Sequence, residues 1–126
     1  MLKKTVTYTD YFGHERTEDF YFNFSKAEVV ELENTTAPDG KTLSEYLSQI
    51  VEARNIKELV IIFKDLVLKA YGERSEDGRR FIKNEEIRQA FSETEAYSEI
   101  FYECATNADA AADFINGVLP NIEPVN

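Results

Sequence analysis

Residues 16–28 read Arg16-Thr17-Glu18-Asp19-Phe20-Tyr21-Phe22-Asn23-Phe24-Ser25-Lys26-Ala27-Glu28, and the hydrophobic period changes inside them. Up to Phe24 it is two, with Phe20, Phe22 and Phe24 on one side, the pattern of a strand with one covered face. At Ser25 the alternation stops. Ser25 with Glu28 forms a capping box, whose hydroxyl and carboxylate each accept a backbone N–H that the start of a helix leaves without a partner. Val29, Val30 and Leu32 then suit a short helix. Strands before this point and helical spacing after it give an α+β chain, with the two kinds of element segregated rather than alternating.

Toward the N-terminus, Leu2–Thr9 alternates in a β-branched, Thr-rich run, and Asp10–Glu15 supplies turn chemistry around Gly13. Residues 2–24 therefore read as a β-hairpin. A two-stranded ribbon is marginal alone, so its Phe face must be covered by the helical part of the chain.

Toward the C-terminus, the stretch from Asn34 to Lys41, with Pro38, Asp39 and Gly40, reads as a loop. Thr42 and Glu45 form a second capping box ahead of Leu43, Tyr46, Leu47 and Ile50. Asn55 and Glu58 open a third helix that runs to Tyr71 and stops at Gly72. Glu73–Arg80 reads as a charged loop turning at Asp77-Gly78, with Phe81 and Ile82 as an apolar anchor at its exit. Asn84 caps a short helix carrying Ile87 and Phe91. Ser92 with Glu95 caps the next, on which Tyr97, Ile100, Phe101 and Cys104 recur at helical spacing. Thr106 with Asp109 opens a last helix bearing Ala108, Ala111, Ala112, Phe114 and Ile115, ended by Gly117 and Pro120. The expectation is one domain over 1–126: a hairpin at 2–24, a compact bundle of about six short helices over 25–119, and a flexible tail at 120–126. With 126 residues, 43% of them hydrophobic, the chain can bury a core.

The third helix carries the most information. At 100° per residue Lys57, Glu58, Lys64, Asp65 and Lys69 fall on one stripe, while Leu59, Val60, Ile62, Phe63, Leu66, Val67, Ala70 and Tyr71 cover the rest. Such a helix should be nearly engulfed. Ile61 and Leu68, seven residues apart, project within the charged stripe, where the chain's own core does not easily reach. Ile61 and Leu68, with Lys57, Lys64 and Asp65 around them, are thus candidates for contact with another protein or another copy, set against the plainer reading of two stray surface aliphatics.

The residues offer little reactive chemistry. His14 is the only histidine and sits in the hairpin turn, so no base is placed for a Ser or Cys nucleophile. Cys104 is the only cysteine and lies on an apolar helix face, as a small core residue does. Carboxylates are abundant, but most fall in first turns or opposite apolar faces, where caps and solvated surfaces need them. Residues 73–84 place Gly78 where a calcium-binding EF-hand loop has its glycine. Asn84, however, stands in place of the bidentate glutamate, and Arg79 and Arg80 would repel the ion. No catalytic residue, metal site or cofactor is expected. Arg74, Arg79, Arg80 and Lys83, with Arg88 beyond, form the one basic cluster. In a chain of formal charge −10 it is expected to pair with carboxylates rather than phosphates. Every Lys and Arg lies at or before Arg88, and an acidic C-terminal third repels nucleic acid. No run approaches the roughly 18 apolar residues that span a bilayer, and the N-terminus lacks a signal-peptide apolar core. A cytoplasmic protein with neither nucleic-acid nor membrane partners is the expectation.

Three blocks resemble a known family. They are Lys3-Lys4-Thr5-Val6-Thr7-Tyr8-Thr9-Asp10 with Gly13 and Glu15 through Glu28; Lys69-Ala70-Tyr71-Gly72-Glu73-Arg74-Ser75-Glu76-Asp77-Gly78-Arg79-Arg80-Phe81-Ile82-Lys83; and Phe91-Ser92 through Glu95-Ala96-Tyr97-Ser98-Glu99 to Ala108–Gly117. Together they are similar to the tail assembly chaperones of long-tailed phages and prophages of Gram-positive bacteria; residues 34–58 carry little of the likeness. The resemblance implies a non-enzymatic protein of the host bacterial cytoplasm, absent from the mature virion. It would bind the tape measure protein and keep it soluble while the tail tube assembles. Further partners implied are the tail tube protein, a frameshifted longer form of the chain, and other copies in a homo-oligomer. The alternative reading is an acidic phage regulatory or inhibitory protein that mimics nucleic acid and binds a host protein.

Overall fold

The computed structural model describes residues 1–38 and 40–120. Its first two strands, β1 (Leu2–Thr9) and β2 (Glu15–Phe22), pair antiparallel with Leu2 opposite Phe22 and Thr9 opposite Glu15. The turn between them is set by two bonds: Gly13 N–H donates to Asp10 O (2.9 Å) and Asp10 N–H donates to His14 O (2.8 Å). That pattern is a three-residue hairpin loop whose last residue must take a positive φ; Gly13 has φ 83°. Leu2, Lys4, Val6, Tyr8, Phe20 and Phe22 share the covered face, and Lys3, Thr5, Thr7, Thr17 and Asp19 the open one. On that open face the Thr7 and Thr17 hydroxyls lie 2.9 Å apart, and Thr5 donates to Asp19 at 2.6 Å.

The helices are α1 (Lys26–Thr35), α2 (Leu43–Ala53), α3 (Ile56–Ala70), α4 (Glu85–Ser92), α5 (Glu95–Thr106) and α6 (Ala108–Val118). At α1 both halves of the capping box form: Glu28 N–H to Ser25 Oγ, and Ser25 N–H to Glu28 Oε1. At α2 only the Thr42 half forms, and Leu43 N–H instead finds Glu33 Oε1 of α1 at 2.8 Å. The N-caps of α5 and α6 lie elsewhere than expected. Thr94, not Ser92, caps α5, since Ser92 is still within α4 and bonds back to Gln89 O; Asn107, not Thr106, caps α6 with bonds from Asp109 N and Ala110 N. In each pair the side chain nearer the helix supplies the cap.

The larger departure lies after α3. The helix ends at Ala70, and Tyr71–Arg74 forms a strand, β3, that pairs with both β2 and a short β4 (Phe81–Ile82). The sheet is therefore four-stranded in the order β1-β2-β3-β4. The expected charged loop is the turn of a second hairpin, and Gly72 is a strand residue rather than a helix stop. A side chain there would meet Phe81 Cε2 at 2.7 Å and Ile82 O at 2.9 Å, so glycine lets the two strands close. Gly117 likewise does not end α6 but lies inside it, where Leu2 of β1 packs over its bare backbone.

The core joins the sheet's covered face to the helices. Phe22, Phe63, Val67, Ala70, Ala96, Ala111 and Val118 are fully enclosed. Phe22 sits among Tyr71, Phe91 and Phe114 with ring centroids 5.3–5.8 Å apart, and Tyr71 stacks on Phe91 at 3.9 Å. Beyond β2 the chain is stapled to two helix ends, Asn23 N–H to Ala70 O and Phe24 N–H to Val118 O, both 2.9 Å. The hairpin's dependence on a covering layer is thus met mainly by α4, α5 and α6. The tail expected at 120–126 falls, apart from Pro120, outside the described residues, as does Asp39 of the α1–α2 loop.

Candidate interaction surface

Asn55 caps α3 by accepting from Glu58 N, and its core face is Leu59, Phe63, Leu66, Val67 and Ala70. Ile61, on the opposite face, is 69% exposed, and Ile56 and Val60, which flank the core face, are 62% and 38% exposed, so α3 is not engulfed but leaves three aliphatics in solvent at its N-terminal half. Lys57, Lys64 and Asp65 are exposed around them, and Asp65 pairs with Lys69 at 2.7 Å.

Leu68 does not stand with Ile61. It is half-buried and leans on the core, while its carbonyl accepts from Arg88 Nε at 3.3 Å. The physical reason is α4, which packs beside the C-terminal half of α3 and brings Arg88 over it. Helical spacing places Leu68 correctly on the helix but does not show which neighbour covers it. Ile56 lies outside the seven-residue spacing that singles out Ile61 and Leu68; an apolar residue directly after the Asn55 cap, with Val60 four further on, was the available signal.

The basic cluster is not one site. Arg74 lies over the Tyr21 ring, 4.0 Å from its centroid, and donates to the Tyr21 hydroxyl at 2.9 Å. Arg79 and Arg80 are exposed in the β3–β4 turn, held through their backbones by Asp77 and Ser75. Lys83 points inward, with Nζ 2.7 Å from both Asn23 O and Glu28 Oε2 and above the Phe24 ring. Burial pulls its pKa below the ordinary lysine value, against the opposing pull of Glu28. Burial alone would raise the Glu28 carboxyl, but hydrogen bonds from Lys83 and Ser25 hold it below its usual range. This pair ties α1 to β4.

Cys104 is enclosed, and burial pushes its thiol up to about 12, away from the thiolate a nucleophile or metal ligand needs. His14 is exposed in the turn beside Phe12, which is 88% exposed. A groove of about 420 Å³ runs between β1 and α5, lined by Lys4, Thr5, Thr7, Glu99, Tyr102 and Glu103 among others. Among the described residues no cluster of three or more His, Cys, Asp or Glu could hold a metal ion, and no helix is long and apolar enough to cross a membrane.

Comparison with curated proteins and with solved structures gives no significant match. A family model described as phage tail assembly chaperone matches residues 1–122, across both hairpins and helices α1 to α6. With the match running over nearly the whole chain, this protein belongs to the phage tail assembly chaperone family.

Proposed function

We propose that the chain binds the phage tape measure protein and keeps it soluble until the tail tube has assembled around it, without catalysing a reaction. The observation that carries the reading is the set of exposed aliphatics on α3. Ile56 and Val60 stand one turn apart on one side of Lys57 and Lys64 and Ile61 on the other, a mixed apolar and charged surface that a helix of another polypeptide can grip. A net charge of −10 keeps the carrier itself dispersed while it holds an aggregation-prone client. The same surface would serve contacts between copies in a homo-oligomer. The tail tube protein and a frameshifted longer form of the chain are further partners on this reading. The setting is the host bacterial cytoplasm, and the protein leaves before the virion is complete.

The test is co-expression with the tape measure protein. The wild-type chain should hold the client in the supernatant, and Ile56→Ser with Ile61→Ser should return it to the pellet while the chaperone stays folded by circular dichroism. A tape measure protein equally soluble with and without the chain rules the reading out. Capture of a host nucleic-acid enzyme in its place would favour the acidic mimic.

A further inference from the structure

The first strand is an edge. Beyond β1 the sheet has no further strand among the described residues, and all eight residues of β1 pair on one side only, with β2. The turn determines which backbone groups this leaves free. Asp10 and His14 are a hydrogen-bonded pair, and antiparallel pairs alternate between bonded and non-bonded. Counting back along the register, Tyr8, Val6, Lys4 and Leu2 bond to β2, so the N–H and C=O groups of Thr9, Thr7, Thr5 and Lys3 point outward. The close Thr7–Thr17 and Thr5–Asp19 side-chain contacts are what non-bonded pairs show.

Natural sheets usually blunt such an edge with charge, proline or a covering element. Over Thr5–Thr9 β1 has neither charge nor proline: the side chains are Thr, Val, Thr, Tyr and Thr, and a groove lies between Thr5, Thr7 and the neighbouring helix α5. The part of β2 that β3 leaves unpaired carries Glu15, Glu18 and Asp19 and is blunted in that way. Alongside the free edge runs the groove walled by Glu99, Tyr102 and Glu103 of α5, with Tyr102 67% exposed. Lys4 reaches across to Glu103 at 3.5 Å, so a cation opposite this wall is already accommodated once.

We propose that the β1 edge and the α5 wall together bind an extended segment of the client polypeptide, which adds as a fifth strand with its Lys or Arg side chains toward Glu99 and Glu103. Outward N–H and C=O groups of Thr5 and Thr7 supply main-chain bonds, Tyr102 supplies an aromatic face, and the acidic wall selects basic side chains. A second copy of the chain fits worse. Antiparallel pairing of β1 with β1 has its two-fold axis normal to the sheet, which sets the Glu99 and Glu103 walls of both copies side by side on one face. Two acidic walls then repel where a basic client would be attracted. The inference rests on the reading of the chain as a tape measure chaperone and assigns it a second, strand-type contact besides the exposed aliphatics of α3.

The experiment uses the full chain and an array of overlapping peptides covering the tape measure protein. Thr7→Pro deletes an outward N–H and leaves the β1–β2 bonds intact, and Glu99→Lys reverses the wall without touching the strand. Each should weaken the strongest basic, β-prone peptide by roughly tenfold or more. Their thermal midpoints identify folded variants, and Glu99→Lys, on an exposed helix position, keeps the test decisive if Thr7→Pro unfolds. Wild-type binding that survives unchanged in the folded variants overturns the inference and leaves the chaperone reading standing. A dimer that Thr7→Pro converts to monomer at unchanged peptide affinity also overturns it, since the edge then belongs to a second copy. If the wild-type chain binds neither peptides nor intact tape measure protein, the functional reading falls and takes this inference with it.

Discussion

Asp10 shows how much one side chain can organise. Its Oδ1 accepts from Phe12 N and His14 N, both at 2.9 Å, and its Oδ2 from Arg16 Nε at 2.6 Å. The Arg16 bond, then the backbone bonds, hold its carboxyl at about 2, below the ordinary 3.8. A depressed carboxyl pKa contributes its full stabilisation only while the group is ionised in both states. The contribution is therefore complete above 3.8 and drains away as pH falls toward 2. Urea midpoints tracked between those values should fall less steeply for Asp10→Asn than for wild type; parallel slopes would show that Asp10 does not couple to folding. Three sequence neighbours supply its partners, so this site was legible as turn chemistry. Gly72 was not: its reason is Phe81, nine residues on and across a strand pair that local pattern does not reveal.

At the scale of the element, α3 separates positions that hold the fold from positions offered to a partner. Phe63 is fully enclosed and contacts Phe114 with ring centroids 6.0 Å apart, so Phe63→Ala should cost about 3–5 kcal/mol. Ile61→Ser should change stability by no more than about 0.5 kcal/mol, since an exposed side chain away from caps and networks loses little. Chemical denaturation of both variants measures the contrast, and a large loss at Ile61 would mean that it packs on something within the chain. The start of α3 was readable because Asn55 and Glu58 are a local pair. Its end was not, because Tyr71 continues the helical spacing while its backbone is drawn into pairing with Phe22 of β2. The same limit hid β4: two residues are too few for any period, and only pairing with Glu73 and Arg74 makes them a strand.

For the whole molecule the governing quantity is charge. The chain carries 24 acidic and 14 basic side chains, so folding concentrates like charge and the native state carries net self-repulsion. Raising NaCl from about 0.01 M to about 0.15 M shortens the Debye length from about 30 Å to about 8 Å, and the thermal midpoint should rise. A midpoint that falls would mean that attractive pairs such as Lys83–Glu28 outweigh the repulsion.

What the amino-acid order settled alone is whatever depends on near neighbours: the period change at Ser25, the caps at Ser25, Asn55 and Asn84, the Gly13 turn, and with them the α+β class and the helix count among the described residues. What waited for the tertiary structure is whatever depends on contacts between distant segments. These are the two strands around the Asp77 turn, the covering of Leu68 by α4, the inward aim of Lys83, and the seat of Leu2 on Gly117. Hydrogen bonds within one turn are encoded a few residues apart and can be read there. Burial and strand pairing are decided by which distant surface arrives, and no local pattern states that.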